Sequence, residues 1–365
     1  SGVEAFKLND TFGFPLDLTR EIAAEAGFAV DEAAFHIEMT KQRERARAER
    51  LAKDISGWSA DLFGELTAEA TQFDGYDTLS ESAKVIALSD GEELADAIAT
   101  DEAGESKDGV LVVLDRTPFY AEMGGQVADH GYITNGDAKL KVTQVKKTPK
   151  GYFVHTCELL DGTIHVGDEV TASVDTQRRM AICRNHTATH LLQKALREVL
   201  GEHVHQAGSY QDDKLTHFDF THFSAVTPEE LRKVEDRVNE KIFEALPVTI
   251  QNLPIEEAKK MGAMALFGEK YGSVVRVVDA GGWSTEFCGG THVTNTAQIG
   301  CFKILSESSV AAGIRRIEAT TAYGVLNLLD ERTEQLAKTA VALKANNLKD
   351  APARAEALTL SLIHI

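Results

Sequence analysis

The sequence lacks the features that would place a protein in a membrane or outside the cell. Its four cysteines among 365 residues are too few and too scattered for a disulfide framework. The longest apolar run, Val110–Leu114, is far shorter than a membrane span. The first residues do not contain the charged segment and apolar run of a secretion signal. We therefore expect a soluble protein of the cytoplasm, where thiols stay reduced.

Positive charge is also scarce in this chain. It has 38 Lys and Arg residues against 57 Asp and Glu residues, a net charge of −19, which argues against a broad surface for nucleic acid. A small basic groove can still exist within an acidic surface, because some basic residues are clustered. The clusters are Arg43, Arg45, Arg47 and Arg50; Arg178, Arg179 and Arg184; and Arg315 and Arg316. We interpret the charged run 41–50 as a solvated helix face rather than an RNA contact.

The hydrophobic pattern predicts a helical start followed by a strand-rich middle, and the length suggests roughly two to four domains. Within residues 1–55, Gly27 ends one helix and Asp31 caps the next. From about residue 76 to 175, short alternating segments and glycine turns predict a small β-barrel. The strand candidates are Val110–Leu114, Leu140–Val145, Tyr152–Cys157 and Val170–Val174, with turns at Asn135-Gly136 and Asp161-Gly162 and a loop at Thr117–Gln126.

Residues 176–324 mix helices with strands. A helix over about 177–200 ends at Gly201, and a capping box at 227–230 begins another helix. Further strands are predicted at Val274–Val278 and Phe302–Leu305, and residues 325–350 are predicted to be helical again.

Two pairs of residues carry the most informative chemistry. His186 and His190 lie four apart in HTATH, so one helix face presents both. Cys288 and His292 lie in CGGTH, whose glycines let the backbone fold tightly and bring both side chains to one point. Each pair alone has a plainer interpretation, as structural histidines or as a glycine-rich turn with a buried cysteine. Together the two pairs predict one Zn²⁺ site.

The helix geometry excludes the possibility that the two histidines are core residues on the packing face of this helix. At ~100° per residue, the apolar residues form one stripe: Ala188, Leu191, Leu192, Ala195, Leu196 and Val199. His186 and His190 fall on the opposite side, so they are either solvated or facing a site. Thr187 stands where a zincin has its general-base Glu, so this chain is not a zincin.

Several long motifs, in the same order, resemble bacterial alanyl-tRNA synthetases over nearly the whole chain. The motifs are Asp10–Thr19, Thr117–Gln126, Asn185–Leu192, Gly262–Tyr271, Thr285–Val293 and Gly313–Ala319. The resemblance implies an α+β multidomain fold. Its parts would be the helical end of a tRNA-recognition region at 1–75, a β-barrel at 76–175, an α/β zinc-containing editing core at 176–324 and a truncated C-terminal helical linker at 325–365.

The resemblance also implies a substrate and site residues. The ligands of one Zn²⁺ would be His186, His190, Cys288 and His292. Gln206 would lie in the editing pocket, and Thr187 would lie beside the bound amino acid. The substrate would be tRNA(Ala) mischarged with serine or glycine, and the reaction would be hydrolysis of the ester. Arg315 and Arg316 would either contact the tRNA end or form surface ion pairs.

The resemblance further implies that the class II aminoacylation core, with its ATP and Mg²⁺, precedes residue 1 and is absent. The usual C-terminal domain would be missing too, so we expect no oligomer, and neither membrane nor DNA as a partner. Zinc could lower the pKa of a water molecule or orient the ester, and four protein ligands favour the second role. Two alternatives stay open: a free-standing editing deacylase, against which residues 1–55 argue, and a tRNA-binding module whose zinc is only structural.

Overall fold

The structure, a computed structural model, describes residues 2–12, 16–32, 34–35, 62–100, 106–262 and 272–363. The chain divides into two compact units, Ser1–Thr67 with Gly91–Glu93 and Ala68–Asp90 with Leu94–Ile365. The basic run 41–50, residues 13–15 of the first motif and residues 263–271 of Gly262–Tyr271 lie outside the described residues. Among the helices that are described, none is long and apolar enough to cross a membrane.

The smaller unit begins with two helices, Gly2–Phe12 and Leu16–Glu25. Gly27 follows the second helix with a φ of 79°, and its N–H donates to Ala24 O at 3.0 Å. The glycine therefore ends the helix, as predicted. Asp31 Oδ1 accepts the N–H of Ala34 at 3.0 Å, which is the predicted helix cap.

The strand-rich middle of the chain forms a closed barrel, as predicted. Its strands are β1 Gln72–Phe73, β2 Ser80–Ser89, β3 Leu94–Ala95, β4 Ala97–Ala99, β5 Lys107–Leu114, β6 Arg116–Thr117, β7 Gly131–Thr134, β8 Ala138–Lys147, β9 Phe153–His165 and β10 Glu169–Val174. Six of them pair antiparallel in the order β10-β7-β8-β9-β5-β2, and β2 pairs again with β10 to close the barrel. Side chains such as Val112, Leu140 and Leu159 fill its interior and are completely buried.

One of the two turns predicted for this barrel is wrong. Asn135 lies in a turn and accepts the N–H of Ala138 through Oδ1 at 2.6 Å, but Asp161 and Gly162 lie inside the long strand β9. Gly162 has a φ of 83°, and a Cβ there would come within 1.7 Å of Asp137 O. This glycine therefore permits a close approach of β8 to β9 and does not reverse the chain.

The second half of the chain packs a long helix against two sheets. The helix Thr176–Leu200, called the histidine helix below, ends at Gly201 as predicted. The predicted capping box begins the helix Pro228–Phe243, and a short helix Ile255–Lys260 follows β13. One sheet has the order β11-β12-β17-β16 and the other the order β13-β14-β15. Their bounds are β11 Gln206–Gln211, β12 Thr216–Thr221, β13 Val248–Pro254, β14 Val274–Ala280, β15 Ser284–Phe287, β16 Phe302–Ala311 and β17 Ile314–Thr321.

The C-terminal part is not the continuous helix predicted for 325–350. A helix Tyr323–Ala342 is followed by a 3₁₀ turn Leu348–Asp350 and a helix Ala351–Ile363. Lys344 has a φ of 54°, a left-handed conformation that ends the first helix. Asn347 then accepts the N–H of Asp350 through Oδ1 at 3.1 Å and caps the 3₁₀ turn.

Candidate metal centre

Four side chains that can bind a metal converge in the second half of the chain. They are His186, His190, Cys288 and His292, and their ligand atoms all lie within 4.8 Å of one another. Cys288 Sγ lies 3.3 Å from Nε2 of His186 and 3.3 Å from Nε2 of His292. The structure thus brings together all four predicted ligands, which we call the metal cluster.

The caps and the apolar stripe of the histidine helix place the two histidines. Asp175 Oδ1 accepts the N–H of Arg178 at 3.0 Å at the start of the helix, and Gly201 ends it with a φ of 118°. The predicted apolar stripe packs into the core, so the opposite face carries the histidines toward the CGGTH loop. His186 is 5% exposed and His190 is 7% exposed. Of the two roles left open by the sequence, solvation is therefore wrong for both.

The CGGTH loop is held in place through three successive carbonyl groups. Arg276 on β14 donates through Nη1 to Cys288 O at 2.8 Å and to Gly290 O at 2.7 Å. Tyr76, which precedes the barrel strand β2, donates through Oη to Gly289 O at 2.5 Å. The guanidinium of Arg276 lies 4.1 Å from the centre of the Tyr76 ring, so the two side chains also hold each other.

Steric contacts require glycine at only one of the two glycine positions in this loop. A Cβ at Gly290 would lie 2.1 Å from Cε1 of His186 and 2.8 Å from Oε1 of Gln126, whereas a Cβ at Gly289 would meet nothing within 4 Å. Gly290 is therefore needed because the loop backbone presses directly against a histidine of the cluster.

Burial keeps the three imidazoles neutral at physiological pH. It lowers the pKa of His190 to about 3 and holds the pKa values of His186 and His292 well below their usual range. The positive charge of Arg276 lowers all three pKa values further. Glu286 is buried as well, which raises its pKa to about 8, and its Oε2 lies 3.6 Å from Nε2 of His190. Neutral imidazole is the form that binds a metal.

The donor set fits a zinc ion. Three imidazole nitrogens and one cysteine sulfur are ligands that Zn²⁺ commonly takes from proteins, usually four in number. Histidine ligands of zinc are usually held by a hydrogen bond at their second nitrogen. In this cluster, Nδ1 of His186 lies 2.8 Å from Gln126 Oε1, and Nδ1 of His292 lies 3.1 Å from Thr187 Oγ.

Thr187 lies behind the metal cluster and is 1% exposed. Its hydroxyl donates to Cys183 O at 2.8 Å and accepts the N–H of Val293 at 3.2 Å. Because the hydroxyl proton goes to Cys183, the contact with His292 is one in which Nδ1–H donates, which leaves Nε2 as the nitrogen facing Cys288. The structure thus places Thr187 as a partner of a ligand, and contact with an amino acid substrate stays a prediction.

Gln206 lies at the start of β11, where the pairing with β12 is irregular. The register shifts between Gln206 and Gly208, and Gln206 Nε2 donates to Ser209 Oγ at 3.1 Å. Its role in a substrate pocket stays a prediction.

Arg315 and Arg316 lie on β17 and form ion pairs. Arg315 Nη2 donates to Glu307 Oε2 at 2.7 Å, and Arg316 donates to both carboxylate oxygens of Asp219, at 2.6 and 2.8 Å. The ion-pair alternative describes both residues in this structure, and a contact with the tRNA end stays a prediction.

Sequence reasoning missed three residues that hold the cluster, Gln126, Tyr76 and Arg276, and one that lies beside it, Glu286. The sequence did draw attention to Gln126, because the loop Thr117–Gln126 resembles a family motif although locally it is only a loop. Tyr76 and Arg276 act across the fold, through contacts between distant segments, and no spacing in a single sequence encodes such contacts.

Family models of tRNA synthetases match two segments of the chain, and alanine--tRNA ligases are similar to nearly all of it. The family model described as "tRNA synthetases class II (A)" matches residues 1–178, and the one described as "Threonyl and Alanyl tRNA synthetase second additional domain" matches residues 275–318. An alanine--tRNA ligase of Acetivibrio thermocellus is 50% identical over 347 residues, which are 95% of this chain and 39% of the relative. Those of Shouchella clausii and Bacillus velezensis are 48% and 49% identical, over 98% and 99% of this chain and 40% of each relative.

The chain therefore spans about two fifths of the length of the curated relatives it matches. The class II match also corrects one prediction. The motifs implied that the class II part lies wholly before residue 1. Residues 1–178 match the model of class II (A) synthetases, so at least some of that part lies within this chain.

Proposed function

We propose that this chain is a segment of an alanine--tRNA ligase that carries the editing site of that enzyme. The reaction is hydrolysis of the ester that joins serine or glycine to the 3′-terminal adenosine of tRNA(Ala). The observation that carries the proposal is the metal cluster, whose ligand atoms all lie within 4.8 Å. All four of its residues come from motifs that also resemble the family, His186 and His190 from Asn185–Leu192 and Cys288 and His292 from Thr285–Val293. Charging of tRNA with ATP and Mg²⁺ is the proposed activity of the whole ligase.

A separate hydrolytic site solves a problem of discrimination. A pocket built for alanine excludes larger side chains by size, but glycine lacks only one methyl group, worth ~1–3 kcal/mol of binding. Serine adds only a hydroxyl group, which a small pocket also rejects weakly. A second site that removes the wrong amino acid after transfer restores accuracy.

The residues of the chain hold and orient the proposed zinc site. A zinc ion bound there would supply Lewis-acid chemistry, by lowering the pKa of a water molecule or by orienting the ester. His186, His190 and His292 are neutral at the pH of the cell, so they donate lone pairs without first losing a proton. Arg276 and Tyr76 fix the carbonyls of the CGGTH loop and thereby the position of the cysteine ligand.

Because the four protein residues would occupy all the positions of a tetrahedral zinc site, the site is proposed to position the substrate rather than to activate water. Thr187 and Gln206 are proposed to line the pocket, the first from behind His292 and the second from β11. Arg315 and Arg316 are proposed to contact the tRNA end.

Deacylation of charged tRNA tests this proposal. The chain is incubated with tRNA(Ala) carrying radiolabelled serine, and with alanine-charged tRNA(Ala) as the matched control. We expect rapid loss of serine, slow loss of alanine, and loss of the activity after treatment with a chelator. Release of serine at the rate of buffer alone would contradict the proposal.

A second candidate is a tRNA-binding module whose zinc is structural, and the four protein ligands favour it. The deacylation assay separates the two candidates, because a binding module retains mischarged tRNA and leaves its ester intact. A free-standing editing protein is less consistent with the match of residues 1–178 to class II synthetases.

A further inference from the structure

A residue of the barrel reaches into the metal cluster. Gln126 ends the loop that follows β6, and its side chain is completely buried. Backbone hydrogen bonds on both sides hold this loop against β11, because Gln211 N–H donates to Gly125 O at 2.9 Å and Val127 N–H donates to Gln211 O at 3.1 Å. The loop therefore presents the Gln126 amide in a fixed position.

The Gln126 amide makes three hydrogen bonds at the cluster. Its Oε1 accepts the backbone N–H of Thr291 at 2.9 Å and lies 2.8 Å from Nδ1 of His186. Its Nε2 donates to Thr291 Oγ at 2.9 Å. One side chain thus connects a helix histidine with the CGGTH loop.

These contacts fix the tautomer of His186. A backbone N–H can only donate, so the amide atom that faces Thr291 N must be the oxygen Oε1. An oxygen cannot donate, so the contact with His186 requires a proton on Nδ1. The lone pair of the ring is then on Nε2, the nitrogen that lies 3.3 Å from Cys288 Sγ.

We infer that Gln126 is a positioning residue of the metal centre. It holds His186 in the tautomer and orientation that bind the ion, and it holds the CGGTH loop against the histidine through Thr291. This inference rests on the proposed function in one respect, because it takes the cluster to bind zinc. It makes the barrel loop part of the site rather than a neighbouring domain.

Three variants test the inference through zinc affinity, measured by competition with a chromogenic chelator. Gln126→Met keeps the length of the side chain and removes its hydrogen bonds. Gln126→Glu keeps an acceptor for both N–H groups. Gln211→Met is the matched control, because Gln211 is also completely buried and is next to the same loop, while its side-chain amide makes no hydrogen bond to the described residues.

We expect Gln126→Met to weaken zinc binding about 10–100-fold, the usual loss when the hydrogen-bond partner of a histidine ligand is removed. Gln126→Glu should stay within ~3-fold of the parent, since carboxylates commonly accept from zinc-bound histidines. Gln211→Met should also bind like the parent. The visible absorption of bound Co²⁺ should change only in Gln126→Met, because only this variant frees the His186 ring.

Parent-like zinc affinity in Gln126→Met would overturn the inference. Equal weakening in Gln126→Met and Gln126→Glu, or weakening in Gln211→Met, would overturn it too, because a general disturbance of the loop would then be the cause. Thermal unfolding of each zinc-free variant shows whether the fold is kept. If the parent binds zinc but leaves mischarged tRNA intact, the proposed function fails, and the affinities still decide the role of Gln126.

Discussion

His155 in the barrel and His186 in the metal cluster are both buried, but their ring nitrogens have different partners. His155 Nδ1 lies 3.0 Å from Val112 O, and its Nε2 lies 2.8 Å from Thr117 Oγ. Both nitrogens of His155 are therefore satisfied within the barrel. His186 has one such partner, Gln126, and its other nitrogen points at Cys288.

The comparison shows what separates a structural histidine from a ligand. Burial lowers the pKa of His155 to about 4, the same direction as for His186 and His190. Neither burial nor a lowered pKa therefore identifies a metal site. The convergence of several ligand atoms within 4.8 Å of one another identifies it, and only the cluster has this convergence among the described residues.

The largest expected effect concerns His155 in the barrel and is a change in the pH dependence of the free energy of unfolding. The folded pKa of His155 is about 4 and the unfolded value is near 6.5, so the unfolded chain binds more protons between these values. Stability from this residue is complete above pH 6.5 and falls as the pH is lowered toward 4, by about 3 kcal/mol. His155→Gln removes the titration, so the difference in unfolding free energy between parent and variant should change by that amount. A difference that is constant over this pH range would contradict the assignment.

A pair of cysteine variants sharpens the comparison next. Cys288→Ala removes a proposed ligand and should lower both zinc content and deacylation of serine-charged tRNA(Ala), the latter at least ~10-fold. Cys157→Ala is the control, because Cys157 is completely buried in the barrel and its Sγ donates to His155 O at 3.5 Å. It should keep one zinc per chain in elemental analysis. Parent-like hydrolysis by Cys288→Ala would instead favour the binding module.

Gln206→His should produce a smaller, several-fold loss of deacylation. The larger ring would fill the proposed pocket without touching a ligand, so the zinc content should stay at the parent value. The conservative variant Gln206→Asn should lose less activity. If Gln206→His also loses its zinc, the residue supports the metal centre instead of the pocket.

The smallest effect is expected from Arg316→Gln. If Arg316 contacts the tRNA end, the affinity for tRNA should fall a few-fold, and the slope of log affinity against log salt should decrease by about one. Asp219→Asn, which releases the guanidinium from its ion pair, should act in the opposite direction. Unchanged tRNA affinity in both variants would contradict the contact with the tRNA end and leave the ion pair with Asp219 as the role of Arg316.

The sequence predicted the features that local chemistry determines. The end of the histidine helix follows from Gly201 and its packing face from one apolar stripe, both of which the sequence predicts. The barrel follows from alternating strands, and the four residues of the metal cluster follow from two spaced pairs. In each case the signal lies within a single helix, a single strand or a short loop.

The features that the sequence did not predict depend on distant contacts or on a backbone conformation that the residue type does not indicate. Gly162 has the appearance of a turn residue, but its positive φ serves the pairing of β8 with β9. Tyr76 and Arg276 come from segments far apart in the chain and meet only after folding. The interruption after Ala342 depends on the left-handed conformation of Lys344, a residue type that does not indicate such a conformation.

Stepwise return of zinc to the metal-free chain tests the central claim most directly, that one metal cluster makes this chain a deacylase. Zinc is removed with a chelator, added back in fractions of one equivalent, and the release of serine from mischarged tRNA(Ala) is measured at each step. Our account predicts that the rate rises in proportion to the zinc added and stops rising at one zinc per chain. Full hydrolysis by the zinc-free chain, or no hydrolysis at any zinc content, would contradict it.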